Sequence, residues 1–248
     1  MILPSTIYAL ATPPGKSALS VIRISGPSAH AAAPLFGVSL KKTRQVQRAS
    51  LVSQDGAFLD DALLLSYSSP ASATGEDVLE IQCHGSQAVI AGILDVLETH
   101  VQFRIAEPGE FTKRAFENGK MDFTQVEGLA DLIDAETSLQ RRQAAAQMSG
   151  TLSKPVLSWR EDIICLSAML EATIDFADED LPLGTLTHIF DKRQDVIDSL
   201  GDVLSRGSSG EVIRNGLTAA LVGPVNAGKS TTLNVLTGRP AAIVSDIA

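Results

Sequence analysis

The chain has 248 residues, 44% of them hydrophobic, and a formal net charge of −9. That apolar share supports a packed core and excludes a disordered chain, and the length admits one or two full domains. The acidic balance excludes bulk attraction to nucleic acid, and no uninterrupted apolar run approaches the ~20 residues of a membrane span.

Residues 1–118 read as mixed α/β. Ile7–Ala11 and Ala18–Ser25 have strand character and are joined by the turn Pro13-Pro14-Gly15-Lys16. Ala62–Tyr67 and Val78–Cys83 read as further strands. Gln87–His100 has helical spacing, with Val89, Ile90, Ile93, Leu94 and Leu97 on one side. Pro108-Gly109 breaks the pattern before a short helix, Glu110–Glu117. The basic cluster Lys41, Lys42, Arg44 and Arg48 reads as a solvated loop or, alternatively, as a local RNA-facing patch.

Two charges stand inside apolar strands: Arg23 in Leu19–Ile24 and Glu80 in Val78–Ile81. A buried charge is costly unless it is paired or bound. Each therefore points to solvent, pairs with the other, or holds a ligand. His84 has no identifiable carboxylate partner, which favours a packed or solvent-facing imidazole over an acid–base role. Lys120 reads as a surface lysine. Cys83 and Cys165 form no metal-ligand pattern, and the N-terminus lacks a basic region followed by an apolar core. Reduced thiols in a cytosolic protein are the expectation.

Residues 119–212 read as helices only and carry 17 acidic against 8 basic residues. Thr124 and Glu127 are spaced as a capping box, and Val126, Leu129, Leu132, Ile133 and Leu139 then recur at helical intervals. Pro155 suits the first turn of a second helix through Trp159, Ile163, Leu166 and Leu170. The acidic run Asp175–Asp180 and Pro182 end it. A third helix is expected from His188 to Arg206, and then a flexible linker, Gly207-Ser208-Ser209-Gly210.

Residues 213–248 begin a nucleotide site. Leu217–Val222 reads as a buried parallel strand. Gly223-Pro224-Val225-Asn226-Ala227-Gly228-Lys229-Ser230 follows the phosphate-loop pattern G-x-x-x-x-G-K-S. Its glycines let backbone N–H groups face phosphate oxygens, Lys229 reaches the β- and γ-phosphates, and Ser230 ligates Mg²⁺. Leu233, Val235 and Leu236 suggest the following helix, with Gly238 as its stop.

Taken together, the chain resembles the MnmE (TrmE) family of tRNA-modifying GTPases along its whole length. The resemblance rests on Ala11–Gly15, Arg23-Ile24-Ser25-Gly26, Thr74–Glu80, His84-Gly85, Ala106–Phe111, Ala130–Ala135, Asn226–Ser230 and Ala241–Ala248. It implies an α+β chain in three parts. Residues 1–118 are a folate-binding, dimerising α/β domain, 119–212 the first part of a helical domain, and 213–248 the start of a Ras-like G domain. It implies that Arg23, Glu80 and Lys120 contact a tetrahydrofolate (5-formyl- or 5,10-methylene-). It places GTP on Gly223, Asn226, Ala227, Gly228, Lys229, Ser230, Thr231, Ser245, Asp246, Ile247 and Ala248. Mg²⁺ falls to Ser230, and K⁺ to Asn226, Ser245 and Ile247. It further implies a cytoplasmic homodimer, not bound to membrane, that works with the flavoprotein MnmG. Together they add a (carboxymethyl)aminomethyl group to carbon 5 of the wobble uridine of tRNA, with the folate as one-carbon donor.

Several positions depart from the family pattern. Pro224 stands one position earlier than the usual proline, Thr231-Thr232 replaces a Ser-Leu type pair, and Ser245 stands where threonine is usual. The sequence reaches Ala248 without the D-x-x-G and N-K-x-D segments or the family's C-terminal cysteine motif. The expectation is a chain without GTPase activity of its own, whose helices leave apolar faces uncovered. Two other functions remain open: a non-hydrolysing folate-binding dimerisation module, and an unrelated P-loop ATPase.

Overall fold

The computed structural model describes residues 5–175, 185–215 and 220–238. Six strands form one sheet: β1 Thr6–Leu10, β2 Ser17–Ser25, β3 Gln47–Val52, β4 Phe58–Tyr67, β5 Val78–Gly85 and β6 Phe103–Ile105. Their spatial order is β3-β4-β5-β2-β1-β6. The β1–β6 pair is parallel and every other pair is antiparallel. The four expected strands all form. The edge strands β3 and β6 and a 3-10 helix, Ala29–Phe36, are additions to the expected elements.

Alternation along the strands decides which face is buried. Tyr8, Ile22, Ile24, Leu64, Leu79, Ile81 and Cys83 turn to one side. There they meet Ala29, Ala32, Ala33 and Phe36 of the 3-10 helix and the apolar stripe of α1, Gln87–Glu98. That stripe is Ile90, Ile93, Val96 and Leu97, so the helical spacing read from the sequence is the spacing that packs. The same alternation turns Arg23, Glu80, Gln82 and His84 to the opposite side of the sheet. Burial pushes the Cys83 thiol up to about 11, and the Asp60 carboxylate adds to the effect.

The short helix α2 is Glu110–Glu117, as expected. Beyond it the helices differ from expectation. The predicted first helix is two helices, α3 Phe123–Asp134 and α4 Ser138–Met148. The break is a second capping arrangement. Gln140 Oε1 accepts hydrogen bonds from the backbone N–H groups of Glu136 (3.0 Å) and Thr137 (2.9 Å), and Gln140 N donates to Thr137 Oγ1 (3.2 Å). At the start of α3 the box lies two residues earlier than Thr124 and Glu127. Gln125 N donates to Asp122 Oδ1 (2.9 Å), and Asp122 N donates to Gln125 Oε1 (2.9 Å).

The long helices are α5 Ser153–Asp175 and α6 Thr185–Asn215. Pro155 sits in the first turn of α5, where its missing N–H costs no hydrogen bond. Trp159 Nε1 donates to Ser199 Oγ (2.9 Å) and Lys192 Nζ lies 2.8 Å from Asp162 Oδ1, so the two helices run antiparallel. Leu166, Ile189 and Val196 are buried. The expected linker at Gly207–Gly210 is helical backbone inside α6. Four residues of low helix propensity cost a few kcal/mol at most, less than the cost of nucleating a new helix past them. As anticipated, apolar side chains stay exposed on these helices, among them Ile163, Ile164, Leu170, Ile174, Phe190, Ile197 and Leu204. The Asp175–Asp180 run and Pro182 lie outside the described residues, apart from Asp175, which is the last residue of α5.

The chain packs as two compact units, Met1–Asp134 with Ala144–Val156, and Ala135–Gln143 with Leu157–Ala248. In the first, Gln147 Nε2 donates to Thr124 O (3.1 Å) and Gln125 Nε2 to Met148 O (3.0 Å), which fastens α3 to the end of α4. No described helix is long and apolar enough to cross a membrane.

Gly85 on β5 faces Ser17 on β2 with no room for a side chain. A Cβ added there would lie 2.0 Å from Ser17 Oγ and 2.6 Å from the Ser17 carbonyl oxygen. A rotamer change relieves the first contact, but the second requires movement of the β2 backbone. Gly85→Ala is expected to destabilise the protein by roughly 1–3 kcal/mol, read as a lower urea midpoint at unchanged slope.

Candidate functional site

Arg23 and Glu80 are direct cross-strand partners in the β2–β5 register. Arg23 Nε donates to Glu80 Oε1 at 2.8 Å. The Arg23 side chain is 32% exposed and that of Glu80 is 17% exposed, so the pair is neither fully wet nor fully desolvated. The Arg23 guanidinium also stands 5.7 Å above the Phe111 ring, a cation–π contact that holds it in place. Of the three possibilities for the strand charges, pairing is therefore realised. It is not exclusive, because Glu80 Oε2 has no hydrogen-bond partner among the described residues.

Beside Glu80 lies an open cavity of about 290 Å³, lined by Glu80, Arg44, Tyr67, Val78 and the Ala71–Ala73 stretch. Lys120 approaches the same loop. A Cβ added at Gly75 would come 3.3 Å from Lys120 Cγ and 2.9 Å from Asn118 Cβ. The backbone of Lys120 is fixed at the end of α2 by its N–H bond to Ala115 O (2.8 Å), next to Gly119 at φ 66°. Of the three predicted residues, the fold thus pairs Arg23 with Glu80 on the sheet and sets Lys120 against the loop that walls the cavity. The predicted basic loop is divided. All four residues are exposed; Arg48 lies on β3, where its Nη2 donates to Asp61 Oδ2 (2.9 Å), and Arg44 lines the cavity.

A chain of charges absent from the sequence expectations supports this region. Arg114 Nη1 donates to both oxygens of Glu76 (3.1 Å each) and Arg114 Nη2 to Glu110 Oε1 (3.0 Å). Arg104 Nη1 in turn donates to Glu110 Oε2 (2.9 Å). Ser25 Oγ donates to Glu76 Oε2 (2.7 Å) and lies 2.7 Å from Thr74 Oγ1, while Asn118 Nδ2 donates to Thr74 O (2.8 Å). Arg114 and Glu110 are buried. The network ties the 72–77 loop and α2, with Phe111 and the chain leading to Lys120, to the sheet. Its traces in the sequence are the glutamates of Thr74-Gly75-Glu76-Asp77 and Pro108-Gly109-Glu110-Phe111. What they touch lies 38 residues away for Glu76 and Arg114, beyond the reach of local patterns.

His84 departs from expectation, because it does have a carboxylate partner. Its Nδ1 lies 2.8 Å from Asp60 Oδ1, and its backbone N–H donates to Asp60 Oδ2 (2.7 Å). The two residues are 24 apart in sequence and meet only through the β4–β5 pairing. Among the described residues no group of three or more His, Cys, Asp or Glu side chains could hold a metal ion.

In the nucleotide segment, Gly228 at φ 80° is the N-cap of α7, Lys229–Thr237, and Gly238 at φ 63° ends it. Helix and stop fall where the sequence placed them. Asn226 adopts φ 61°, one of two non-glycine residues with positive φ among the described residues. Lys229 Nζ folds back onto the loop and donates to Gly223 O (2.8 Å) and Pro224 O (2.6 Å). Ser230 and Thr231 are the next residues of the helix. Of the expected strand, Leu217–Ala219 lies outside the described residues, and Ala220–Val222 leads into the loop without strand structure. Ser245, Asp246, Ile247 and Ala248 also lie outside the described residues.

A mixed sheet domain followed by a helical domain defines an α+β protein, and a G-K-S loop opens its last described helix. A family model described as GTP-binding protein TrmE N-terminus matches residues 6–120, and one described as MnmE helical domain matches residues 123–247. Curated proteins named tRNA modification GTPase MnmE align along nearly the whole chain. That of Roseobacter denitrificans is 49% identical over 243 residues, covering 98% of this chain and 57% of the relative. Those of Cereibacter sphaeroides and Bradyrhizobium sp. are 46% and 47% identical, with 56% and 54% of their lengths covered. The chain therefore belongs to the MnmE (TrmE) family, and it spans somewhat more than half the length of the curated relatives it matches.

Glu110 offers a pH-dependent test of the charge network. The Arg104 guanidinium, with further hydrogen bonds from Glu107 N and Arg114, holds its carboxyl at about 2, against an ordinary 4.5, despite the opposing effect of burial. A depressed carboxyl pKa contributes stability that is complete above the unfolded value and is lost as pH falls through the folded one. The contribution should therefore fade between pH 4.5 and about 2. Glu110→Gln should destabilise the protein by roughly 2–4 kcal/mol at pH 7. Urea unfolding of both proteins at successively lower pH should show that deficit closing across the same window.

Proposed function

We propose that this chain carries the folate-binding and phosphate-binding parts of a tRNA-modification GTPase of the MnmE type. The observation that carries the reading is the Arg23–Glu80 pair, held at a cavity wall with one carboxylate oxygen still open. A carboxylate can accept the paired N–H donors of an amino-pyrimidine edge, and that is the edge a tetrahydrofolate presents. Arg23 and Lys120 supply cations suited to the ligand's acidic tail. The residues present fit the group, and the folate itself would supply the one-carbon unit. The chain's own residues bind and orient it.

The nucleotide site is proposed at Gly223, Asn226, Ala227, Gly228, Lys229, Ser230, Thr231, Ser245, Asp246, Ile247 and Ala248. The helix start at Lys229 and the positive φ of Asn226 and Gly228 support it, since they turn backbone N–H groups toward a bound anion. Ser230 would hold Mg²⁺ through its hydroxyl. Asn226, Ser245 and Ile247 would hold K⁺ through oxygen atoms, the donor type that alkali cations accept. Homodimerisation through residues 1–118, action with the flavoprotein MnmG on the wobble uridine of tRNA, and a cytoplasmic location belong to the same proposal.

Calorimetric titration of the 248-residue chain with 5-formyltetrahydrofolate, and separately with GTP and Mg²⁺, tests it. Wild type should bind the folate, Glu80→Ala should bind it at least about 30-fold more weakly, and Lys229→Ala should lose GTP and leave folate binding intact. Folate binding untouched in Glu80→Ala would overturn the site assignment. Folate binding without GTP binding would favour the non-hydrolysing folate module over the GTPase reading.

A further inference from the structure

The cavity beside Glu80 has a basic residue on its wall as well as an acidic one. Arg44 is held there by two devices. Its backbone N–H donates to Ser66 O at 2.7 Å, and its Nη2 donates to Ala71 O at 3.1 Å. It also adopts φ 61°, a left-handed conformation uncommon for a side chain of this size. Its Nε and Nη1 have no hydrogen-bond partner among the described residues. The rest of the lining is largely apolar, with Val78, Ala71, Ala73 and the Tyr67 ring. Such a chamber suits a flat heteroaromatic ring system with polar groups along one edge. At about 290 Å³ it is at the lower end of ligand-sized cavities and takes a fused ring pair better than a whole folate.

We infer that Arg44 is a specificity-determining residue of this cavity, one that donates a hydrogen bond to the 4-oxo group of a bound pterin ring. The inference rests on the folate reading above and deepens it. A 2-amino-4-oxo-pteridine edge presents two donors, N2–H and N3–H, followed by one acceptor, O4. Glu80 supplies only acceptors and Arg44 only donors. A carboxylate and a guanidinium on the walls of one chamber therefore complement the whole edge. A 4-amino-pteridine replaces the acceptor by a donor, which sets N–H against N–H at Arg44, and it also loses the N3–H, so part of the discrimination comes from Glu80 and stays when Arg44 is removed. A site that hydrogen-bonds a particular group discriminates strongly against the analogue that cannot return the bond.

The test compares tetrahydrofolate with 4-amino-4-deoxytetrahydrofolate, both kept reduced by dithiothreitol, in calorimetric titrations of the 248-residue chain. Wild type should prefer the 4-oxo ligand by about 10- to 100-fold. Arg44→Ala should reduce that preference by about threefold or more, chiefly by weakening tetrahydrofolate, and leave the remainder that the N3–H contact to Glu80 supplies. Arg44→Lys, which restores a cationic donor, should recover part of it. A merely structural role for Arg44 would weaken both ligands alike and keep their ratio. An unchanged ratio in Arg44→Ala, with Glu80→Ala still abolishing binding, overturns the role of Arg44 and leaves the folate site standing. Wild type that binds neither ligand, or Glu80→Ala that binds both as wild type does, overturns the folate reading and this inference with it.

Discussion

Pairing of β2 with β5 sets the chemistry of the N-terminal unit. Both strands are central, and both have one apolar side, so their alignment is fixed by which residues must enter the core. Ile22 and Ile24 on one strand and Leu79, Ile81 and Cys83 on the other have no alternative to the buried face. Once they are placed, Arg23 must stand opposite Glu80 on the other face. A slip of β2 by one residue would carry Arg23 into the core, expose Ile22 and Ile24, and leave Glu80 on the other face without its partner. The register is therefore specified by hydrophobic burial, while its chemical result is a guanidinium–carboxylate pair on the open face of the sheet.

The second constraint is ionic. Glu76, Arg114, Glu110 and Arg104 form an alternating series in which each buried charge has at least one opposite partner. Such a series is a demanding fastening at its middle, because removing Arg114 takes the ion pair from Glu76 and removing Glu110 takes it from Arg104. It acts on the parts of the unit that the hydrophobic core does not reach: the 72–77 loop, and α2 with the turn after it. Those same parts carry Phe111 under Arg23 and present Lys120 to Gly75. The site is thus set by burial on the sheet side and by charge on the helix side.

The central strands and α1 were legible in the sequence because their apolar spacing is the spacing that packs. Strand β3 was not, since Gln47, Arg48 and Ser50 form an edge strand whose order comes from backbone bonds to β4. Strand β6 is three residues long and exists through its pairing with β1. The break between α3 and α4 leaves no mark in the apolar spacing, because Gln140 is an ordinary helix residue until its side chain turns back to Glu136 and Thr137. Gly207–Gly210 misled in the other direction, as composition suggested a linker where the helix continues. At the site, Arg23 and Glu80 stand out as charges in apolar strands, whereas Asp60 beside His84 depends on the β4–β5 register and Arg44 beside the cavity on its backbone bond to Ser66. Lys120 carried no local signal and drew notice through the family resemblance.

The position of Lys229 bears on how a phosphate would enter the loop. Its ammonium is held by the carbonyl oxygens of Gly223 and Pro224, so the loop keeps its cation partly solvated by its own backbone. Arrival of an anion is then an exchange of acceptors: two carbonyl dipoles give way to charged oxygens, and the ammonium keeps a hydrogen-bonded partner throughout. Affinity reflects the difference between those two sets of contacts, not the full strength of the second. The released carbonyls of Gly223 and Pro224 must find water or new donors, and Pro224 brings no N–H of its own to the incoming anion. A loop of this kind holds its lysine in place before the ligand arrives, at the expense of part of the binding energy the lysine could otherwise give.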